Sequence, residues 1–188
     1  MTRFSMRPTA TEHAPFASAY IDATAAALAA GGHADVLTLL EDQRRAWELL
    51  LAPLEPTMAS HRYAPGKWTL AESILHVTDT ERVFSYRLLR VARGDTTPLP
   101  GFDQDAWVPE SRADRRSLID LAAELSMVRG ATLALVRSLD ETALGQMGTA
   151  SNHPVSARAL VWMIAGHAAH HLLLTREQYL ATEAPRRG

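Results

Sequence analysis

The 188-residue chain contains no cysteine, few aromatic residues and no marked excess of charge of either sign. Without cysteine the protein forms no disulfide bond and has no cysteine nucleophile, so any metal ligands come from histidine, aspartate or glutamate. A formal net charge of −2, with Lys and Arg scattered along the chain, gives no electrostatic attraction to nucleic acid or anionic lipid. The sequence therefore predicts a protein that binds neither nucleic acid nor a membrane.

Long hydrophobic runs are also missing. The most apolar stretch, residues 160–174, contains three histidines and is shorter than the ~20 apolar residues that cross a bilayer. Residues 1–15 lack the apolar core of a signal peptide. We therefore expect a cytoplasmic protein with a single domain across residues 1–188, in which the first 15 or so residues are extended or poorly ordered.

Apolar residues recur at helical spacing along most of the chain, and no segment shows the alternation of a half-buried strand, which predicts an all-α fold. The four long helical segments cover about residues 34–51, 69–94, 114–139 and 156–180. A shorter, alanine-rich segment, residues 16–30, predicts an additional helix. Four amphipathic helices joined by polar connections are typical of a four-helix bundle.

The ends of the second helix and the seam of the third are the clearest local signals. Thr69 followed by Glu72 forms a capping box, and Gly94 is a typical residue after a helix end. The connection that follows, residues 95–113, is unusually long, and we expect it to pack against the bundle. The third helix carries a four-three repeat that predicts a buried seam. Its positions are Leu118, Leu121, Leu125, Val128, Thr132, Leu135 and Leu139.

His167 and His171 fall on the apolar seam of the fourth helix, one turn apart and on the same face. Each unpaired polar group in such a place costs ~1–3 kcal/mol, and a divalent metal would remove that cost by taking one nitrogen from each ring. The same spacing occurs in zinc proteases, but Ala168 stands where those enzymes place a glutamate base. The alternative is a pair of hydrogen-bonded histidines without a metal. His76 lies off the apolar stripe of the second helix, and periodicity alone therefore predicts an ordinary surface histidine.

Several segments together resemble the DinB-like (DinB/YfiT) superfamily. They are residues 62–69 (RYAPGKWT) with His76, residues 79–82 (DTER), residues 98–104 (PLPGFDQ) and residues 164–171 (IAGHAAHH). The resemblance covers roughly residues 39–180 in the correct order. It implies a four-helix bundle that binds one divalent metal through His76, His167 and His171. It also implies that His170 is not a ligand and that the protein forms a homodimer.

A site of three neutral histidines leaves coordination positions open, and imidazole ligands favour zinc or nickel. Such a site lowers the pKa of a bound water for hydrolysis, polarises a carbonyl, or ionises a thiol. The resemblance implies either a metal-dependent hydrolase or a transferase that takes a low-molecular-weight thiol as cosubstrate. The alternative is a non-catalytic, stress-related bundle with a structural metal. Neutral imidazoles are required, so affinity should fall as the pH drops through ~6.5.

Other polar residues near these histidines have open roles. Glu81 interrupts an apolar stripe, where it could orient a ligand, act as a general base or pair with an arginine; it is the weak candidate for a catalytic residue. Asp79 and Thr80 are candidates for supporting contacts to the ligands. Arg82 and Arg176 are candidates for binding an anionic substrate. Tyr86 is a candidate for presenting its hydroxyl to the site. Trp68 and Trp162 are most simply core residues.

Overall fold

Helices dominate the structure, a computed structural model in which residues 2–181 are described. The helices are α1 (Ser18–Gly31), α2 (Val36–Leu51), α3 (Leu70–Ala92), α4 (Gln104–Glu110), α5 (Leu118–Arg137), α6 (Glu141–Gly145) and α7 (Ala157–Leu174). Two short strands, β1 (Met147–Ala150) and β2 (His153–Ser156), form an antiparallel hairpin. Single turns of 3₁₀-helix occupy Pro15–Ala17, Pro56–Ser60 and Ala113–Arg115, and a π-turn, Thr175–Tyr179, extends α7.

The four long helices α2, α3, α5 and α7 form the predicted four-helix bundle. Both α2 and α3 pack against α5 and against α7, so α2 and α3 lie diagonally across the bundle. The predicted additional helix is α1, which packs along the outside of α7. As a result α7, which carries two of the candidate ligands, is covered on three sides, and nearly all of its residues from 157 to 168 are buried.

The buried face of α5 follows a slightly different period from the predicted seam. Leu118, Leu121 and Leu125 are buried as expected, but Val128 and Leu135 are only partly buried, and Arg129 and Val136 take their places in the core. The prediction assumed 3.5 residues per turn, whereas a straight α-helix has 3.6 and drifts by about 20° per heptad. The correction matters because it brings the arginine, and not the valine, into the bundle.

The β-hairpin, residues 147–156, lies in the connection between the third and fourth predicted helical segments, where the sequence predicts no strand. Ser151 and Asn152, the two residues of its turn, both have positive φ angles (52° and 64°), as a tight hairpin turn requires. Leu99 hydrogen-bonds to Thr149 and Ser151, so the first part of the long connection runs beside β1. The hairpin thereby fixes the connection against the bundle.

The long connection and the N-terminal segment both pack against the helices, as was predicted for the connection. The long connection, residues 95–113, contains α4, and it buries Leu99 and Val108. Residues 2–14 form neither helix nor strand, yet Phe4 is buried and the Thr2 hydroxyl donates to Asp35 at 2.6 Å. The N-terminal segment therefore lies against the bundle with turns but no helix or strand, while Met1 and residues 182–188 lie outside the described range.

Among residues 2–181 no single helix is long and apolar enough to cross a membrane; α1 with its preceding turn and α2 reach that length and hydropathy only as a pair bent by 82°.

Candidate metal centre

Three buried histidines from two helices converge on one point. His76 from α3 and His167 and His171 from α7 are 6%, 4% and 6% exposed. One possible ligand atom from each residue lies within 4.8 Å of those of the other two, and the Nε2 atoms of His76 and His167 are 3.1 Å apart. No other group of three His, Cys, Asp or Glu side chains among residues 2–181 has this geometry.

The position of His76 differs from what helical periodicity indicates. The periodicity predicts a surface residue because His76 lies off the apolar stripe, but α3 is buried around most of its circumference near its start. The capping box of Thr69 and Glu72 begins the helix at the predicted point. The ring of Trp68 then lies 4.8 Å from the imidazole of His76 and shields it. Periodicity along one helix therefore missed a residue that neighbouring segments bury.

Burial keeps all three imidazoles neutral over a wide pH range. Loss of hydration is the main cause that lowers the pKa of His76 from 6.5 to about 4 and that of His171 to about 3. Burial likewise holds the pKa of His167 well below its ordinary value, and the neighbouring histidines add to this. Neutral imidazoles present the lone pairs that a metal needs. The pH at which protons compete for the site is therefore lower than the ~6.5 expected from an exposed histidine.

The metal-free protein should lose stability in mild acid. The unfolded chain takes up protons below the ordinary histidine pKa of 6.5, whereas folded His76 stays neutral until about pH 4. The free energy of unfolding should therefore fall as the pH drops through this window, by up to ~1.4 kcal/mol per pH unit for each such imidazole. Urea denaturation of chelator-treated protein measures the slope. The variant His76→Leu/His171→Leu should flatten it, and an equal slope in both proteins would contradict the assignment.

The hydrogen bonding of the three rings fits a shared cation. The facing Nε2 atoms of His76 and His167 form a hydrogen bond only when one neutral ring carries its proton on Nε2 and the other on Nδ1, whereas a cation between the rings accepts a lone pair from both. The Ser73 hydroxyl lies 3.4 Å from Nδ1 of His171, where it can orient that ring. Three neutral imidazole nitrogens at mutual distances this short are a suitable donor set for zinc or nickel. The residues present therefore fit a divalent ion.

A glycine next to His167 brings the outer helix α1 close enough to cover the site. A Cβ atom at Gly166 would lie 1.9 Å from the carbonyl oxygen of Tyr20. The hydroxyl of Thr24 donates to the carbonyl of Trp162 at 2.7 Å and fixes the same contact. The Tyr20 ring consequently packs edge-on against the His167 imidazole, with 5.4 Å between the ring centroids.

Replacing Gly166 by alanine should separate α1 from α7. The obstacle is backbone, which cannot rotate away, so we expect a loss of ~1–3 kcal/mol in the free energy of unfolding. Gly145→Ala is the control, because nothing lies within 4 Å of the Cβ atom that it adds. Ala165→Gly would not serve as a control because it removes a buried side chain. Urea denaturation of both variants measures the difference, and equal stabilities would show that this close approach does not occur.

Two cavities adjoin the three histidines from different sides. The arginine pocket, about 260 Å³, is lined by His167, Arg87 and mostly apolar side chains. The polar pocket, about 360 Å³, is lined by His76, His171, His170 and polar groups that include Lys67 and Asp105. Tyr20 and Gln104 line both. The histidines are therefore buried yet reachable, as a site that acts on small molecules requires.

Glu81 is paired with an arginine, one of the three roles considered for it. Nε and Nη2 of Arg129 each donate to a different carboxylate oxygen of Glu81 at 2.7 Å. Nη1 of Arg129 donates to the carbonyl of Leu40 and to the side chain of Gln43, both at 3.1 Å. Gln43 in turn donates to the carbonyl of Ala165 at 2.8 Å. This network joins all four bundle helices two residues from His167.

The remaining candidates are mostly elsewhere. Asp79 and Arg82 pair with each other, and Arg82 also contacts Glu124. Tyr86 is half exposed and hydrogen-bonds to Arg90, so the structure does not bring its hydroxyl to the site. Arg176 is exposed, and Trp162 is a core residue as expected. His170 is exposed and does not belong to the three-histidine group.

Of the proposed supporting residues, Thr80 is the one beside the site. Its hydroxyl is buried, has no hydrogen-bond partner among the described residues and lies on the wall of the arginine pocket. Four further residues contact the histidines or line the pockets and were not identified from the sequence: Ser73, Tyr20, Gln104 and Arg87. Gln104 stands in one of the segments that carry the family resemblance, but no spacing rule singles it out.

The chain is similar in sequence or in fold to several known proteins. A protein of Oceanobacillus iheyensis, provisionally named a metal-dependent hydrolase, is 25% identical over 122 residues, which are 60% of this chain and 65% of the relative. The chain thus spans a little under two thirds of that relative's length. The fold matches YfiT from Bacillus subtilis, described as a probable metal-dependent hydrolase with an unusual four-helix bundle topology. The match has a TM-score of 0.67 and 15% identity and covers 92% of this chain and 93% of YfiT. The sequence profile of the DinB superfamily matches residues 39–174, and the chain therefore belongs to that superfamily.

Proposed function

We propose that this protein is a metal-dependent hydrolase whose single divalent ion is bound by His76, His167 and His171. The observation that carries the proposal is the convergence of three buried, neutral imidazoles at a point reached from two pockets. The names of the Oceanobacillus and Bacillus relatives support hydrolysis in particular. Zinc and nickel are the ions that we expect, because imidazole nitrogen suits both.

An ion in this position supplies a Lewis acid that polarises a carbonyl and lowers the pKa of water. The protein's own residues hold the ligands still and limit access. Ser73 orients His171, while the rings of Trp68 and Tyr20 pack against His76 and His167. His170 and Asp105 line the polar pocket and are candidates for accepting or returning a proton there.

A purely structural metal fits the site less well. Structural zinc sites usually have four protein ligands and no open position. Glu81, the carboxylate that could have completed the set, has both oxygens bound by Arg129. The two pockets also lead to the histidines, which a sealed structural site does not need. Three ligands and open access both favour chemistry.

Thiol transfer is the second candidate, and the presence of two pockets is the observation that favours it. A transferase must hold a low-molecular-weight thiol and an electrophile at the same time, and the polar and arginine pockets meet at the histidines from different sides. The chain contains no cysteine, so the thiol would come from a cosubstrate, and its ionisation is chemistry that a divalent ion supplies.

A paired assay separates these functions. Purified protein is analysed for metal, stripped with a chelator and reloaded with zinc or nickel. Each form is then tested on a panel of esters and amides, and on electrophiles with and without a low-molecular-weight thiol. We expect hydrolysis that needs the metal but no thiol. Activity seen only with thiol would establish the transferase instead, and equal activity of stripped and loaded protein would overturn both catalytic proposals.

Two further predictions come from the sequence and the family resemblance: a homodimer and a cytoplasmic location. Neither is needed for the chemistry above, because all three proposed ligands belong to one chain. Sedimentation of the purified protein would measure the first directly.

A further inference from the structure

Arg87 is a buried cation without an acidic partner. Its side chain lies on α3, three turns after His76, and the residue is only 5% exposed. No carboxylate among residues 2–181 lies within ion-pair distance of it, whereas the equally buried Arg129 has Glu81. Burial lowers the pKa of the Arg87 guanidinium with no nearby acid to oppose it, although an arginine stays charged. An unpaired buried charge is costly, so a partner from outside the chain would compensate it.

The guanidinium is held in one orientation by groups that leave part of it available. Nη2 donates to the carbonyl of Pro100 at 2.6 Å and to the hydroxyl of Ser151 at 3.1 Å. The guanidinium carbon lies 5.6 Å from the centre of the Phe102 ring. Both bonds use Nη2, so Nε and Nη1 keep N–H groups that can each donate one charge-assisted hydrogen bond to an anion. The long connection and the hairpin turn thus preorganise Arg87.

The arginine pocket connects this cation with the candidate metal centre. Its wall includes His167, and between Arg87 and the histidines it is mainly apolar, with Phe84, Leu160 and Met163. The unpartnered Thr80 hydroxyl stands on the same wall, one turn after His76 on α3. The rings of His167 and Phe84 have centroids 6.1 Å apart, and Phe84 lies one turn before Arg87 on α3, so an apolar wall separates the imidazole from the guanidinium. A ligand that contacts both must carry its anion and its reacting group at opposite ends of an apolar segment.

We propose that Arg87 binds the carboxylate of an elongated, mostly apolar substrate whose reacting group lies at the three histidines. That the end of the substrate at the three histidines is the one that reacts rests on the proposed function above. The anion is assigned as a carboxylate because one guanidinium matches its single charge, and no other arginine and no lysine lines this pocket. Arg87 is thus a specificity-determining residue.

Binding of octanoate, compared with octanamide and octyl phosphate, tests the inference. Calorimetry is carried out on the protein as purified and again after chelator treatment, since a carboxylate also binds metal ions. We expect octanoate to bind at least ~10-fold more tightly than octanamide in both forms, which is the usual strength of a charge-assisted hydrogen bond. Arg87→Met should abolish the preference, and Arg87→Lys should reduce it. Arg93→Met, which removes the same charge from an exposed position on the same helix end, should keep it.

Each other result counts against the inference. If octanoate fails to bind, or Arg87→Met keeps the preference in the metal-free protein, Arg87 is not the anion site. If octyl phosphate binds more tightly than octanoate, the carboxylate assignment is wrong. If Arg87→Met does not fold, the preference for octanoate over octanamide is compared between the wild type and Arg87→Lys instead. The outcome is distinguishable from failure of the hydrolase proposal, because the preference is measured without metal and without turnover.

Discussion

Replacing His171 by alanine should remove the metal ion from the protein. The site would keep two imidazoles, and loss of a ligand should cost at least as much as loss of a supporting contact, which reduces metal affinity ~10–100-fold. After dialysis against a weak chelator, elemental analysis should find close to one ion per wild-type chain and almost none in the variant. We expect a large loss of metal affinity because the imidazoles are already neutral and close together, so that each binds the ion without first losing a proton or moving.

His170→Ala is the matched control. The residue is adjacent in sequence, has the same chemistry and lies 5.1 Å from His171 between ring centroids, yet it is exposed and outside the three-histidine group. Its replacement should leave the stoichiometry near one. If the double variant His167→Ala/His171→Ala still binds metal tightly at one ion per chain, the assignment of the site is wrong.

The histidine pair on α7 and the histidine on α3 were identified from the sequence for different reasons. His167 and His171 stand one turn apart on an apolar seam, so the physics of a single helix indicates that they are buried together. His76 carries no such signal, because its burial depends on Trp68 and on the segments that cover the start of α3. Only the family resemblance pointed to it. A residue that is buried by its tertiary neighbours cannot be identified from the period of its own helix.

The hairpin and Arg87 show the same limit at longer range. The four long helices have strong periodicity and correct end signals, so the bundle could be read from the sequence. Strands of four residues have no such period, and β1 and β2 are stabilised by a Ser151–Asn152 turn and by Leu99. Arg87 acquires its environment from that hairpin and from Pro100. Both depend on contacts between segments that are far apart in sequence.

The buried pair of Glu81 and Arg129 should dominate the stability of the bundle's centre. Arg129 is 1% exposed and Glu81 is 3% exposed. The guanidinium of Arg129 donates hydrogen bonds to groups on α2 and α3, and Gln43 on α2 donates in turn to a carbonyl on α7. Arg129→Met leaves the Glu81 carboxylate buried without its partner, which costs ~3–5 kcal/mol in comparable pairs. Urea denaturation at neutral pH measures the loss.

A double-mutant cycle separates the cost of the stranded charge from the value of the pair. Glu81→Gln removes the carboxylate charge at nearly constant shape, so Arg129→Met/Glu81→Gln should be more stable than Arg129→Met alone by ~1 kcal/mol or more. Any variant that folds should keep one metal ion per chain, because neither residue is a proposed ligand. A loss below ~1 kcal/mol for Arg129→Met would mean that the pair is not buried as described. If instead Glu81→Gln stays folded and metal-loaded but loses activity in the paired assay, Glu81 acts in catalysis as well as in holding the helices together.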